Sequence, residues 1–251
     1  MKHLWNGFNM SIGMYTILPS KADIWDEKAT KYLIPFYPVA GILIGLIWYG
    51  AYYALQQFPI PIMIETLILM VLPSILSGFL HLDGFMDTSD AIGSRRCLEE
   101  KRKILKDSHV GAFAVIAVLL WMFASFCCMY SILNTGKSVF AFLLIPVVSR
   151  AFTGICVLNG KPISQNSYLT LYQKEKANWQ TPVQVGYLLL SLLAAFWIGN
   201  LKTGFVIGIL LLAALLSLMH AHKQLKGISG DVSGYILTMS ELAAVFAMAM
   251  I

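Results

Sequence analysis

Charged residues are scarce in this chain: they make up only 12% of its 251 residues, whereas hydrophobic residues make up 58%. A soluble domain carries roughly 25% charged residues, and the apolar excess here is larger than one globular core can bury. This composition excludes an ordinary soluble enzyme, a disordered chain and a nucleic-acid-binding module, so we expect no nucleic-acid partner. It predicts a polytopic membrane protein whose surroundings are a lipid bilayer.

Cysteine is also rare, and none of the four cysteines forms a Cys-x-x-Cys pair. Three of them, Cys127, Cys128 and Cys156, lie in apolar runs, where a thiol is typically a small packing residue. This pattern excludes a disulfide-stapled secreted domain. The first residues lack a continuous apolar stretch and a small-residue cleavage site, so we expect no removable signal peptide.

Long apolar segments are what the chain has in abundance, and seven of them approach the roughly 20 residues that a bilayer-crossing helix needs. They cover residues 33–56, 60–80, 110–133, 138–158, 183–199, 203–220 and 234–251. The fifth and sixth share a polar turn at Asn200 and are expected to form a helical hairpin. Residues 4–19 are short and amphiphilic, and they either lie on the membrane or enter it partway. We therefore predict an all-α polytopic integral membrane protein, a single membrane-embedded domain over residues 1–251, with about seven transmembrane helices (range six to eight).

The positive charges are distributed unevenly between the two sides of this arrangement. If the N-terminus is cytoplasmic, only Lys137 and Lys202 fall in outer loops and Arg150 falls in an apolar run, while every other Lys and Arg falls on the inner side. Such asymmetry is typical of cytoplasmic loops. It predicts an N-in, C-out protein in a bacterial or archaeal cell membrane, the inner membrane where there are two.

A polar segment at residues 81–109 interrupts the apolar chain, and under this topology it is cytoplasmic. Its residues Asp83, Asp87 and Asp90 are spaced i, i+4 and i+7, which places them on one face of a helix. Three carboxylates on one face repel each other and are costly to desolvate near a membrane. A divalent cation would relieve both problems, and oxygen ligands favour Mg²⁺ or Mn²⁺ over Zn²⁺. The alternative is a solvated loop whose acids pair with neighbouring basic residues.

Aspartates beside basic residues suit the transfer of a phosphate-linked group, because a metal and cations neutralise phosphate while an aspartate takes a proton from an attacking hydroxyl. Two further polar residues fall on the same inner side. Arg150 either reaches an anion or snorkels to the lipid surface. Asp231, between Gly230 and Gly234, either caps the last helix or contributes to a phosphate or metal site.

The chain resembles, over most of its length, the cobalamin synthases (adenosylcobinamide-GDP ribazoletransferases). The most specific motifs are His81-Leu82-Asp83-Gly84-x-x-Asp87-Thr88-x-Asp90 and Lys106-Asp107-Ser108-x-x-Gly111. Supporting motifs include Phe36-Tyr37-Pro38 and Gly227-Ile228-x-Gly230-Asp231-x-x-Gly234. The chain departs mildly from the family pattern, and no departure touches a carboxylate: Ile17, Ala91, Ala114 and Ser229 stand where Arg, Gly, Gly and Thr are common.

This resemblance implies a late step of cobalamin biosynthesis. A ribose hydroxyl of α-ribazole, or of its 5′-phosphate, would attack adenosylcobinamide-GDP, releasing GMP and forming adenosylcobalamin or its 5′-phosphate. It implies a requirement for Mg²⁺, with a site whose residues are as follows: Asp83, Asp87 and Asp90 as metal ligands; Asp87, Lys106 and Asp107 as catalytic residues; and His81, Gly84, Ser108, Arg150 and Asp231 as substrate-binding residues. The active site would face the cytoplasm, and a homo-oligomer is left open.

Two other functions compete with this interpretation. The D-G-x-x-D-x-x-D core also resembles the CDP-alcohol phosphotransferases of lipid synthesis, although the Ala-Arg pair after the glycine and the longer later spacing of that family are absent. A small membrane transporter or ion channel would carry polar residues along several helices and internal inverted repeats. Neither feature is evident in this sequence.

Overall fold

The computed structural model describes residues 2–21, 25–164, 168–174 and 176–251, and these residues are predominantly α-helical. The helices are α1 (Lys2–Tyr15), α2 (Leu33–Leu55), α3 (Ile62–Leu76), α4 (Leu80–Gly93), α5 (Leu98–Ile104), α6 (Ala112–Asn134), α7 (Ala141–Asn159), α8 (Tyr168–Lys174), α9 (Gln180–Ala194), α10 (Leu201–Leu225) and α11 (Gly230–Met250). A 3₁₀ turn over Glu27–Tyr32 leads into α2, and a π turn over Ala195–Gly199 follows α9. Within the described ranges, the β pairing consists of one isolated bridge between Pro162 and Ile228.

The number of membrane-spanning helices agrees with the sequence prediction. Among the described residues, six helices are long and apolar enough to cross a bilayer, and the number rises to seven if the bent pair α3–α4 counts as one broken span. The predicted all-α polytopic membrane fold is therefore confirmed. Two short helices, α5 and α8, belong to the connections between these segments.

The second predicted span, residues 60–80, ends earlier than expected. Helix α3 stops at Leu76, and α4 then leaves at an angle of 89°. Two successive residues, Gly78 and Phe79, both adopt a φ of 60°, a left-handed conformation that breaks a right-handed helix. The bend sets α4 and its three aspartates on a separate helix, which packs mainly on α11 and α6.

The predicted hairpin between the fifth and sixth apolar segments is present as α9 and α10. Asn200 forms the turn with a φ of 128°. Its side-chain oxygen accepts a hydrogen bond of 3.0 Å from the backbone N–H of Thr203, which caps the first turn of α10. Asparagine suits this position because it tolerates a positive φ better than most residues do and because its side chain satisfies a free helix N–H.

Helix α7 forms the centre of the bundle. Of its most apolar stretch, 83% is buried inside the protein, compared with 22% for α6 and 17% for the span that begins with α9. Helix α7 packs against α2, α9, α10 and α11. The two peripheral helices expose apolar side chains outwards, as expected for lipid-facing helices. In α2, Gly41 and Gly45 lie directly against the backbone of α7, and a Cβ at Gly45 would come within 2.6 Å of the Leu143 carbonyl oxygen. Small residues four apart let membrane helices approach this closely.

Candidate active site

A cavity of about 1140 Å³ opens among α1, α2, α4, α7, α8 and the start of α11. Four of the residues predicted from the sequence line it: His81, Asp83, Lys106 and Asp231. They come from three separate parts of the chain, so the fold brings together motifs that are far apart in sequence. This cavity is the candidate active site.

The site depends on a close crossing between α4 and α11. At Gly84, an added Cβ would lie 2.7 Å from the Asp231 Cα, and at Gly234 it would lie 2.8 Å from the His81 carbonyl oxygen. The Thr238 hydroxyl also donates a hydrogen bond of 3.2 Å to that carbonyl. Gly84, predicted to contact substrate, therefore lies at a helix–helix contact, where it lets Asp231 approach the aspartates of α4.

The carboxylates that meet here carry uncompensated charge. Asp87 feels the negative charges of Asp83, Asp231 and Asp90. Among the residues that the structure describes, none of these four aspartates forms an ion pair. The alternative, a solvated loop whose acids pair with neighbouring basic residues, is therefore not what this helix shows. Asp231 receives a hydrogen bond of 3.2 Å from the Ser229 hydroxyl, which itself caps α11 by accepting from the Val232 N–H.

The carboxylates of the described residues do not form a complete metal site by themselves. Within the described ranges, no three His, Cys, Asp or Glu side chains lie close enough together to hold a metal ion as they stand. Oxygen donors on two helices nevertheless match Mg²⁺ chemistry, because Mg²⁺ is commonly bound by one or two carboxylates and completed by waters and substrate phosphates. The donor set fits such a shared site better than a closed protein cage.

Asp90 has a structural partner in addition to its place in the motif. Its carboxylate accepts a hydrogen bond of 3.2 Å from the backbone N–H of Phe113 and so caps the N-terminus of α6. The carboxylate lies over Gly111, where any Cβ would overlap both of its oxygens. The two motifs that contain Asp90 and Gly111 are therefore joined in space by this cap.

Lys106, Asp107 and Ser108 are adjacent in sequence but have different surroundings. Lys106 lines the cavity, whereas Asp107 and Ser108 are exposed and do not. Asp107 accepts hydrogen bonds from the His109 ring and backbone N–H, at 2.6 and 3.1 Å. These hydrogen bonds hold the pKa of Asp107 below its ordinary value. The catalytic role predicted for Asp107 stays a prediction, and no contact in the structure supports it.

Arg150 is buried inside the bundle and does not line the cavity. One of its guanidinium nitrogens lies 3.1 Å from Glu241 of α11, and it donates to the Pro146 carbonyl at the same distance. The Ser149 hydroxyl donates to the same glutamate at 2.6 Å. An intramembrane charge requires a partner of opposite charge, and Glu241 supplies it for Arg150 within the protein.

This ion pair is connected to the cavity through an aromatic residue. The Arg150 guanidinium lies 5.9 Å from the centre of the Tyr37 ring, and the Tyr37 hydroxyl lies 2.6 Å from Nε2 of His81. Nδ1 of His81 is buried and has no hydrogen-bond partner in the described part of the chain. Arg150 can thus influence the site through Tyr37 and His81, although its predicted contact with substrate stays a prediction.

The sequence prediction missed several cavity residues, above all the aromatic side chains Tyr15, Tyr37 and Tyr172. Tyr37 lies in the Phe36-Tyr37-Pro38 motif, which supports the family resemblance but was assigned no role in the site. The other two belong to α1 and α8, segments with no charge pattern of their own. No spacing in the sequence could have assigned them to the site, because they reach it only through tertiary packing.

Fold and site together define a multi-pass membrane protein whose cavity combines aspartates and lysines, a set of residues that suits phosphorus chemistry. A family model described as cobalamin-5-phosphate synthase matches residues 7–249, and the chain belongs to this family. No solved structure matches.

Curated relatives cover essentially the whole chain. A Clostridium perfringens protein (strain 13) is 37% identical over the full length of both chains. A Clostridium botulinum protein (strain Alaska E43) is 36% identical over 98% of each, and one from Geobacillus kaustophilus is 31% identical over 96% of this chain and 94% of its own. All three are named adenosylcobinamide-GDP ribazoletransferase.

Proposed function

We propose that the chain transfers the adenosylcobinamide-phosphate group of adenosylcobinamide-GDP to α-ribazole or its 5′-phosphate. GMP would be released, and adenosylcobalamin or its 5′-phosphate would form. Family membership and the names of the relatives support this reaction. The observation that carries it is the cavity lined by Asp83, Asp231 and Lys106, together with the charge interaction of Asp87 with both of these aspartates.

The reaction assigns separate tasks to the cavity residues. The attacking ribose hydroxyl oxygen forms a bond to the cobinamide-linked phosphorus, the bond from that phosphorus to the GMP oxygen breaks, and its electron pair leaves with GMP. Asp231, which lines the cavity from α11, takes the hydroxyl proton. Lys106 neutralises the departing phosphate. Asp107 is a weaker candidate for the base, because it lies outside the cavity and its pKa is lowered.

We propose Mg²⁺ as the cofactor, held by Asp83 and Asp87 of α4. The sequence prediction names Asp90 as the third ligand, and one of its oxygens also accepts the hydrogen bond from Phe113. When bound, Mg²⁺ would neutralise the diphosphate and make its phosphorus more electrophilic. The protein's own contribution is to hold repelling carboxylates together on α4 and α11. The close contact at Gly84 keeps them in place.

We further propose that the cavity faces the cytoplasm, as the charge distribution predicts. Lys106 lies at the cavity with the N-terminus of α11. The two lysines assigned to the outer side lie at the other end of α11, where Lys137 and Lys202 donate to the carbonyl oxygens of Ala249 and Ile251 at 2.5 and 2.7 Å. The 21 residues of α11 rise about 30 Å, which is about the thickness of a bilayer core.

GMP release from the purified protein in detergent tests the proposed reaction. The protein would receive adenosylcobinamide-GDP, α-ribazole and Mg²⁺, with and without EDTA. We expect metal-dependent formation of GMP and cobalamin, and its loss in Asp83→Asn and Asp87→Asn. Glu99→Gln is the matched control, because it also removes one carboxylate charge but lies on the exposed face of α5.

Two outcomes would contradict the proposal. A folded protein that releases no GMP would reject the reaction, and CMP release from a CDP-alcohol would then be tested; the names of the relatives do not favour that chemistry. Near-normal turnover in Asp87→Asn would reject its assignment to the metal site. Fusion of a reporter after Ile251 tests the orientation, and a cytoplasmic signal there would reject the N-in, C-out arrangement.

A further inference from the structure

The candidate active site has an uncharged end that the proposed chemistry does not use. We define this aromatic end by Met14, Tyr15, Tyr37, Leu169 and Tyr172, all of which line the cavity. The rings of Tyr15 and Tyr37 lie 4.2 Å apart between centroids, and the Tyr172 hydroxyl donates to the Met14 sulfur at 3.3 Å. None of these five side chains is charged; the charged side chains that line the cavity are Asp83, Lys106, Lys174 and Asp231.

We infer that the aromatic end binds the planar base of the nucleoside acceptor, the dimethylbenzimidazole ring of α-ribazole. This inference rests on the proposed function. Flat aromatic bases bind to aromatic side chains by stacking, which needs no hydrogen bonds to the base edge. A methionine beside the rings suits a methylated edge, because thioethers pack favourably against aromatic groups.

Guanine, the other base in the reaction, fits this end poorly. Its edge carries a carbonyl, a ring N–H and an amino group, and burying these without partners is costly. The hydroxyls of Tyr37 and Tyr172 already contact His81 and Met14. The methyl groups of dimethylbenzimidazole need no such partners, so the chemistry of the aromatic end favours the acceptor over the GDP portion of the donor.

The position of Tyr37 connects base binding to the reacting atoms. Tyr37 contributes to the aromatic end and contacts His81, which is two residues from Asp83 on α4. A base stacked at the aromatic end therefore places its attached ribose toward the aspartates. The attacking hydroxyl and the carboxylate that takes its proton are then brought together by the same binding event.

Steady-state kinetics of Tyr172→Ala test the inference through the separate KM values of the two substrates. Loss of one stacking ring is expected to raise the KM for α-ribazole roughly tenfold and to leave the KM for adenosylcobinamide-GDP unchanged. Tyr172→Phe keeps the ring and should restore the KM for α-ribazole. Tyr53→Ala is the control, because Tyr53 is a half-exposed aromatic residue of α2 outside the cavity.

A second measurement uses the unaltered protein and so does not depend on the variant folding. Free dimethylbenzimidazole should inhibit competitively against α-ribazole and not against adenosylcobinamide-GDP. The inference is overturned if inhibition is competitive against adenosylcobinamide-GDP, if there is no inhibition, or if folded Tyr172→Ala changes the KM of the donor or of neither substrate. Absence of GMP release from the unaltered protein would instead reject the proposed function itself.

Discussion

The contact at Gly84 gives the sharpest test of how the site is built. A Cβ at this position would lie 2.7 Å from the Asp231 Cα and 2.9 Å from its carbonyl oxygen. Both are backbone atoms of a long helix, so no side-chain rotation relieves the overlap, and α4 and α11 must separate by several tenths of an ångström. Overpacking of this kind typically costs about 1–3 kcal/mol. We therefore expect Gly84→Ala to lower the stability of the folded protein by about that amount.

The effect on turnover should be larger than the effect on stability. Separation of the helices weakens the hydrogen bond from Thr238 to the His81 carbonyl, which is 3.2 Å long at present, and moves Asp231 away from Asp83. Misplacement of reacting groups by even 1 Å can reduce a rate about 100-fold. Gly84→Ala should thus lose most GMP release at temperatures where the protein is still folded.

The assay combines thermal unfolding in detergent with the rate of GMP release at a temperature well below the melting point. Gly208→Ala in α10 is the matched control, because nothing lies within 4 Å of a Cβ there, and alanine is the better helix former. Its melting temperature should be unchanged or slightly higher, with normal turnover. Wild-type stability and turnover in Gly84→Ala would refute the idea that this contact builds the site.

Three further predictions concern other described contacts. Asp90→Asn should keep the melting temperature, because the amide oxygen still caps α6, whereas Asp90→Ala should lose about 1 kcal/mol. Glu241→Gln leaves Arg150 buried without a charged partner and should destabilise the protein by about 3–5 kcal/mol, measured by thermal unfolding, while replacing both residues by leucine should restore much of the loss. His109→Ala should raise the pKa of Asp107, whose lowered value stabilises the folded protein at neutral pH; the small difference in melting temperature from wild type should disappear as the pH falls through that pKa.

Each of these predictions has an opposing result. A fall in melting temperature for Asp90→Asn equal to that for Asp90→Ala would contradict the capping role, and loss of metal-dependent activity in stable Asp90→Asn would identify the residue as a metal ligand as well. An unchanged melting temperature in Glu241→Gln would show that Arg150 finds another partner. A difference for His109→Ala that grows toward acid pH would contradict the sign derived for Asp107.

Sequence pattern predicted the helical character of the fold and the face of α4 that carries Asp83 and Asp87. Both follow from local rules, since apolar length defines a span and the i, i+4 spacing defines a helix face. The bend before α4 was not predicted. Gly78 permits a positive φ, but the positive φ of Phe79 depends on the surrounding structure. It therefore cannot be predicted from the local amino-acid composition.

The contacts between residues that are distant in sequence were the main feature that could not be predicted from the sequence. Arg150 was recognised as a charge that needs a partner, but its pairing with Glu241 depends on how α7 packs against α11. Likewise, Gly84 was predicted to bind substrate, and the structure places the backbone of Asp231 against it, while its contact with substrate stays a prediction. In both cases, the residue type indicated a close or charged contact, but only the tertiary fold identified the partner residue.

The bend after α3 also fixes how deep the proposed chemistry lies. Helix α3 has 15 residues and rises only about 22 Å, less than the roughly 30 Å of a bilayer's hydrocarbon core. A helix of this length that starts at one surface ends before it reaches the other, so α4 would begin beneath the headgroups. In the proposed reaction, a highly charged substrate would then enter a recess in the membrane and lose water there, which would strengthen the interactions between its phosphates and the groups that bind them. The concentration of water, the competing nucleophile, would also be lower there, which would favour transfer to a sugar hydroxyl over hydrolysis.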